Sequence, residues 1–123
     1  MTELGEVSIA QEGGATIATL RGEVDLSNAR AIGKRIVHAI PNHASGLVVD
    51  LSELRYLDSA GIRLLFDLAR RLERRQLGLA SVVPRGSLVR EILEIAGGAE
   101  RLRFVEERAE GLRRVVASEG PSA

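Results

Sequence analysis

The sequence predicts an α/β domain: a mostly parallel sheet of strand–helix units, opened by an antiparallel hairpin strand and carrying about four helices. Three observations carry that expectation. Short apolar or alternating stretches end at turn residues; apolar residues between them recur at helical spacing; and beyond the second strand the two kinds of segment alternate to the end of the chain. Parallel strands in such an order are joined by right-handed crossovers.

The elements follow in order. Val7 to Ala10 is a short apolar strand, and Gly13-Gly14 marks a turn. Ala15 to Arg21 alternates with β-branched residues, which completes a hairpin, and Gly22-Glu23-Val24-Asp25 ends it. Ala29, Ile32, Ile36 and Ile40 then recur at helical spacing, with Ser27 or Asn28 as cap and Pro41 as stop. Leu47-Val48-Val49 is a buried parallel strand, and Asp50 to Asp58 reads as a loop. A helix from about Ser59 to Arg75 leads to a strand over Leu77 to Val83, broken by Pro84. Ser87 caps a helix running to Ala96, closed by Gly97-Gly98. A short strand, Leu102 to Val105, and an amphipathic helix, Ala109 to Val116, complete the pattern. Residues 1–117 are expected to form one domain and 118–123 a flexible tail.

Composition narrows the function. At 123 residues the chain has the size of one domain. Its 17 basic and 17 acidic residues cancel, which excludes a strongly cationic nucleic-acid binder. Residues 1–61 carry a net charge of −3 and residues 62–123 a net +3, a weak invitation to a basic partner on the first half. With no cysteine, disulfides, thiol catalysis and Cys-based zinc sites are excluded. No run reaches the ~20 apolar residues of a membrane span. Met1 to Gly14 lacks the basic and apolar regions of a signal peptide, so a cytoplasmic protein is expected, without membrane insertion. Tyr56, Phe66 and Phe104 are the only aromatics, too few for a base-stacking platform.

Sites in such a sheet gather where strands end and helices begin. Three junctions qualify: Asp25-Leu26-Ser27-Asn28, Asp58-Ser59-Ala60-Gly61 and Pro84-Arg85-Gly86-Ser87. With strands in sequence order the first two are neighbours, so Asp25 and Ser59 share one small surface. Asp58 is a good N-cap, placing Ser59 at the first helical position and Gly61 at the third. Ala60 and Gly61 leave that turn nearly bare, which exposes Ser59 and lets another backbone approach closely. A phosphate on Ser59 would sit at a helix N-terminus, a favourable place for an anion. Plain capping explains the same four residues without any modification. Leu64 and Leu68 lie on the flank of a broad apolar arc; they either touch a neighbouring helix or offer an apolar edge to a partner.

Enzymatic constellations are missing. No Gly-x-Ser-x-Gly surrounds Ser59, and the only lysine, Lys34, belongs to no phosphate loop. His38 and His43 lack carboxylate company, so neither is read as a metal ligand. Asp50 and Asp58 could form an acid–base pair, but Asp50 better suits organising the loop from Ser52. No cofactor and no catalytic residue is expected.

The run Leu47-Val48-Val49-Asp50-Leu51-Ser52-Glu53-Leu54-Arg55-Tyr56-Leu57-Asp58-Ser59-Ala60-Gly61-Ile62 resembles the signature of the STAS family, specifically bacterial anti-anti-sigma factors. Arg21-Gly22-Glu23-Val24-Asp25 and the segment Leu93 to Gly98 with Leu102 to Val105 extend the resemblance over about residues 5 to 117. The resemblance implies a partner-switching regulator. Unmodified, it binds an anti-sigma factor and frees a sigma factor for transcription. That anti-sigma factor is a serine kinase with a histidine-kinase-like ATP fold, which phosphorylates the serine matching Ser59; a metal-dependent serine phosphatase reverses the step. The implied partner surface is Glu23, Asp25, Ser27, Asp58, Ser59, Ala60, Gly61 and Leu64. Many members carry Ser or Thr after the acceptor, whereas this chain has Ala60, so a second adjacent acceptor is absent. A different class also resembles the chain: a STAS accessory subunit of a membrane lipid-transport ATPase. A receiver domain, suggested by Val48-Val49-Asp50, lacks the acidic pair and strand-end lysine it requires. The hairpin's free edge leaves monomer or weak dimer open.

Overall fold

The computed structural model describes residues 5–117, and the tail expected over 118–123 lies outside them. The described chain runs β1 (Glu6–Glu12), β2 (Ala15–Val24), α1 (Ala29–Ala39), β3 (Gly46–Leu57), α2 (Ser59–Arg74), β4 (Gly78–Val82), α3 (Leu88–Ile95), α4 (Gly98–Arg101), β5 (Phe104–Val105) and α5 (Arg108–Ala117). One sheet has the order β1-β2-β3-β4-β5; β1 and β2 are antiparallel and every later pair is parallel. The hairpin-plus-parallel architecture expected from the sequence is present.

Strand alternation divides the apolar residues between two layers. Ala18, Leu20, Leu47, Val49 and Leu51 join the larger core with Ile36 of α1, Leu65, Leu68 and Leu72 of α2, and Leu93 of α3. Ala15, Ile17, Val48, Ala80 and Val82 face the other way, where Val115 and Leu112 of α5 cover them. Three helices thus back one side of the sheet and α5 backs the other.

Three expectations change. Asp50 to Asp58 is not a loop: β3 continues to Leu57, and β2 with it to Val24. The reason lies in the register. Thr19 pairs with Asp50 and Val24 with Leu57, so five residue steps on β2 face seven on β3, with irregularities between Thr19 and Arg21 and between Gly22 and Glu23. Each extra residue flips the alternation. Leu51, Leu54 and Leu57, three apart, therefore all reach the core, a spacing that a regular strand forbids. The second change is a fifth helix, the single turn α4, which adds to the four expected and absorbs the start of the last strand. Leu102 is buried as the residue closing that turn, and β5 shrinks to Phe104–Val105. The third concerns α1. Asn28 holds the N-cap position, but its side chain makes no capping bond; the backbone N–H groups of Asn28 and Ala29 instead donate to Asp25 O at 3.1 and 2.9 Å.

Candidate functional site

The C-terminal ends of β2 and β3 are stitched into one surface. The Asp58 N–H donates to Val24 O at 3.2 Å. One carboxylate oxygen of Asp58 caps α2, accepting from the N–H groups of Ala60 at 2.8 Å and Gly61 at 3.1 Å. Its other oxygen accepts from the Leu26 N–H, on the preceding junction, at 3.2 Å. Asp58 is therefore both the cap read from the sequence and a tie between two loops, the second role being invisible without the sheet order.

The first junction is held internally. Asn28 Oδ1 accepts from the Asp25 N–H at 2.9 Å, and Asn28 Nδ2 donates to Glu23 O at 3.0 Å. Asp25 Oδ1 accepts from the Ser27 N–H at 2.9 Å and the Ser27 hydroxyl at 2.5 Å. Those two Ser27 donors, aided by the Asn28 backbone against a smaller desolvation effect, hold the Asp25 carboxyl below its ordinary value. Asp25 is anionic at neutral pH.

Ser59 opens α2 from an exposed position, and among the described residues no protein group engages its hydroxyl. The junctions on either side each present a large apolar residue: Leu26 is 82% exposed and Leu88, at the start of α3, is 53% exposed. The sequence alone singles out neither as a site residue, because one exposed leucine in a loop looks like any other; only the shared edge gives them meaning. Glu23 and Asp58 are half-buried, and Ser27 is exposed.

Gly61 has a different role from the one its bare turn suggests. It is buried, and a Cβ there would lie 2.8 Å from Leu57 Cβ and 3.1 Å from Val24 O. The backbone that approaches closely is the chain's own β2. Of the two leucines on the flank of α2, Leu68 is buried in the core. Leu64 is half-buried against α1, where a Cβ on Gly33 would meet Leu64 Cδ1 at 2.7 Å. The neighbouring-helix alternative thus describes both, while Leu64 also keeps an open side.

Asp50 stands apart from this edge. It is 5% exposed, on the α5 side of the sheet. Oδ1 accepts from the Ser52 N–H at 3.0 Å and the Ser52 hydroxyl at 2.6 Å. Oδ2 accepts from Arg108 Nη2 at 3.1 Å, and the same nitrogen donates to Thr19 Oγ1 at 2.9 Å. Burial pushes this carboxyl up, but the Ser52 donors and the Arg108 guanidinium together hold it below its ordinary value. Asp50 and Asp58 serve separate structural tasks, and no acid–base pair is formed. Asp50 does hold Ser52 as expected, though inside a strand.

The chain's similarity to known proteins follows the same lines. A family model described as "Mlab, STAS domain" matches residues 7–106. The anti-sigma-F factor antagonist RsfB of Mycobacterium tuberculosis is 30% identical over 91 residues, covering 74% of this chain and 73% of that protein. The putative anti-sigma factor antagonist BtrV of Bordetella bronchiseptica is 34% identical over 86 residues, 68% of this chain and 72% of its own. An anti-sigma factor antagonist from Mycobacterium paratuberculosis, at 20% identity, superposes with a TM-score of 0.82 over 94% of this chain and 98% of that one. At that identity the superposition speaks for the fold.

Proposed function

The chain belongs to the STAS-domain family, with relatives named anti-sigma factor antagonists, and on that premise we propose that it is a partner-switching regulator controlled at Ser59. In this reading the unmodified protein binds an anti-sigma factor that is also an ATP-dependent serine kinase, and a sigma factor is released. Phosphorylation of Ser59 ends the binding, and a serine phosphatase restores it. The protein acts by binding and catalyses nothing itself.

One observation carries the proposal: an exposed hydroxyl, unengaged among the described residues, at a helix start on a sheet edge whose own and neighbouring junctions carry two fixed carboxylates and two exposed leucines. The leucines supply apolar area for a partner. The carboxylates make the edge sensitive to added negative charge. A phosphoserine brings about −1.5 to −2 charge. In the free protein that charge points into water from a helix N-terminus, so the fold tolerates it. Inside an interface it meets Asp25 and Asp58 with its solvation stripped. A loss of ~4 kcal/mol there is about a thousandfold in affinity.

The test is to incubate the chain with ATP and candidate kinases from the same genome, map the phosphopeptide, and measure binding of wild type, Ser59→Ala and Ser59→Asp. The expected outcome is label on Ser59 alone, kinase binding by Ser59→Ala without modification, and weaker binding by Ser59→Asp. Equal affinity for the three forms overturns the switch. Stable association with an ABC-type ATPase instead of a soluble kinase assigns the chain to the lipid-transport class.

A further inference from the structure

An open trough of about 760 Å³ runs between α1 and α2. Its floor is apolar and stepped by four residues on each helix: Ala29, Gly33 and Val37 on α1, and Ala60, Leu64 and Leu68 on α2. Small side chains at Ala29, Gly33 and Ala60 keep it open. Lining residues extend from Ala29 to His38 and from Ala60 to Arg71, about 15 Å at the helical rise, the length of nearly three turns.

The rims are cationic. Arg30 and Lys34 stand on the α1 side, Arg63 and Arg71 on the α2 side. Among the described residues none of these four has a carboxylate partner. Elsewhere the cations are mixed: Arg21, Arg85, Arg90, Arg108 and Arg114 each pair with an acid, whereas Arg35 and Arg113 have no carboxylate partner among the described residues; what sets the groove apart is four such cations on facing rims. Asp67, the carboxylate in the trough lining, is already bonded by Arg70. A chain of zero net charge therefore leaves a local positive excess along one groove. An apolar floor between unpaired cations is complementary to a helix with apolar anchors and acidic flanks.

We propose that this groove receives an acidic amphipathic helix of the anti-sigma factor, as the second half of the interface that begins at Ser59. The proposal rests on the partner-switching reading and deepens it. Leu26 and Ala60 line the trough, so one end opens beside Ser59. A phosphate at that mouth opposes the same acidic helix that the rims attract. Modification at one end then weakens binding along the whole groove.

The experiment uses the purified anti-sigma factor kinase and calorimetric titration at several salt concentrations. The central variant is Lys34→Glu with Arg71→Glu, on opposite rims. It is expected to lose at least tenfold in affinity and to flatten the salt dependence, while Lys34→Gln with Arg71→Gln loses less. Both variants alter exposed side chains, and thermal unfolding checks that their folds are intact. Arg113→Glu, at an exposed arginine on α5 that has no ion pair among the described residues and lies beyond the groove, is expected to stay within about threefold of wild type. Unchanged affinity and salt dependence for the double reversal, or an equal loss from Arg113→Glu, overturns the groove. Ser59→Asp in parallel separates the two readings. If it weakens binding while the double reversal does not, the switch stands and the groove falls. If only the double reversal weakens binding, the groove stands and the switch falls. A kinase that does not bind the wild-type chain at all overturns both.

Discussion

Two glycine-to-alanine substitutions in adjacent helices are expected to move stability in opposite directions. In each, a methyl group replaces a hydrogen in a helix, which by propensity alone stabilises by about 1 kcal/mol. What differs is the atom the methyl meets. At Gly61 the new Cβ lies 2.8 Å from Leu57 Cβ, 3.1 Å from Val24 O and 3.2 Å from Val24 Cγ1. These atoms belong to β3 and β2, both residues are 1% exposed, and none can swing away. Overpacking of this kind costs roughly 1–3 kcal/mol. Relief requires α2 to lift, which stretches the Asp58 cap on the Gly61 N–H. The net expectation for Gly61→Ala is a loss of about 1–2 kcal/mol. At Gly33 the nearest atom is Leu64 Cδ1 at 2.7 Å, the end of a half-buried side chain beside an open trough. A rotamer change clears it, so Gly33→Ala is expected to gain up to ~1 kcal/mol. Urea unfolding followed by circular dichroism measures both, and melting temperatures should separate by several degrees on either side of wild type. A Gly61→Ala midpoint at or above wild type, or a Gly33→Ala loss as large as that at Gly61, refutes the account of how α2 is seated.

Asp58→Asn keeps an oxygen to cap α2 but sets an amide donor against the Leu26 N–H. A loss of about 1 kcal/mol is expected, with faster hydrogen exchange at Leu26 than at Ala60; equal exchange at both removes the tie. Asp50 has a folded pKa below its ordinary value, so its contribution is fully present above the unfolded value near 3.8 and is lost as pH falls through the lower folded one. Wild type should therefore lose stability more steeply than Asp50→Asn does as pH falls below about 4, and parallel urea-midpoint curves would count against the Arg108–Asp50–Ser52 arrangement.

The readable parts of this fold are those where one residue type has one local use. The hairpin turn at Gly13-Gly14, the stop at Pro41 and the caps at Asp58 and Ser87 act within a few residues, and the chain folds as they dictate. The second half of β3 was illegible because its burial depends on two register irregularities against β2. Ser52, Glu53, Arg55 and Tyr56 look like a loop until those offsets place Leu54 and Leu57 inward. The candidate site divides in the same way. Asp58 as a cap and Ser59 as the first helical residue follow from local order. Leu26, Leu88 and the tie from Asp58 to Leu26 depend on which strands are neighbours. Gly61 misled for a related reason: a bare first turn is open only if nothing else fills it, and Val24 does.

The size of the response to charge at Ser59 follows from comparing two environments. Two unit charges ~6 Å apart repel by about 0.7 kcal/mol in water and about 2.8 kcal/mol at an effective dielectric of ~20. Asp25 and Asp58 are both held by donors of the protein itself, so neither can turn away to relieve that repulsion. Free in solution, the modified edge stays near the water value. Docked, it moves toward the larger one, and only the difference between the two states reaches the binding equilibrium. A phosphate carries nearly twice the charge of a carboxylate, so Ser59→Asp is expected to reproduce about half of its effect in free energy. On the thousandfold scale that is roughly a thirtyfold loss. Titrating the partner with wild type, Ser59→Asp and the protein carrying phosphoserine at Ser59 places all three on one line of binding free energy against added charge. An aspartate as disruptive as the phosphate points instead to steric exclusion at the mouth of the interface, and the electrostatic explanation is then abandoned.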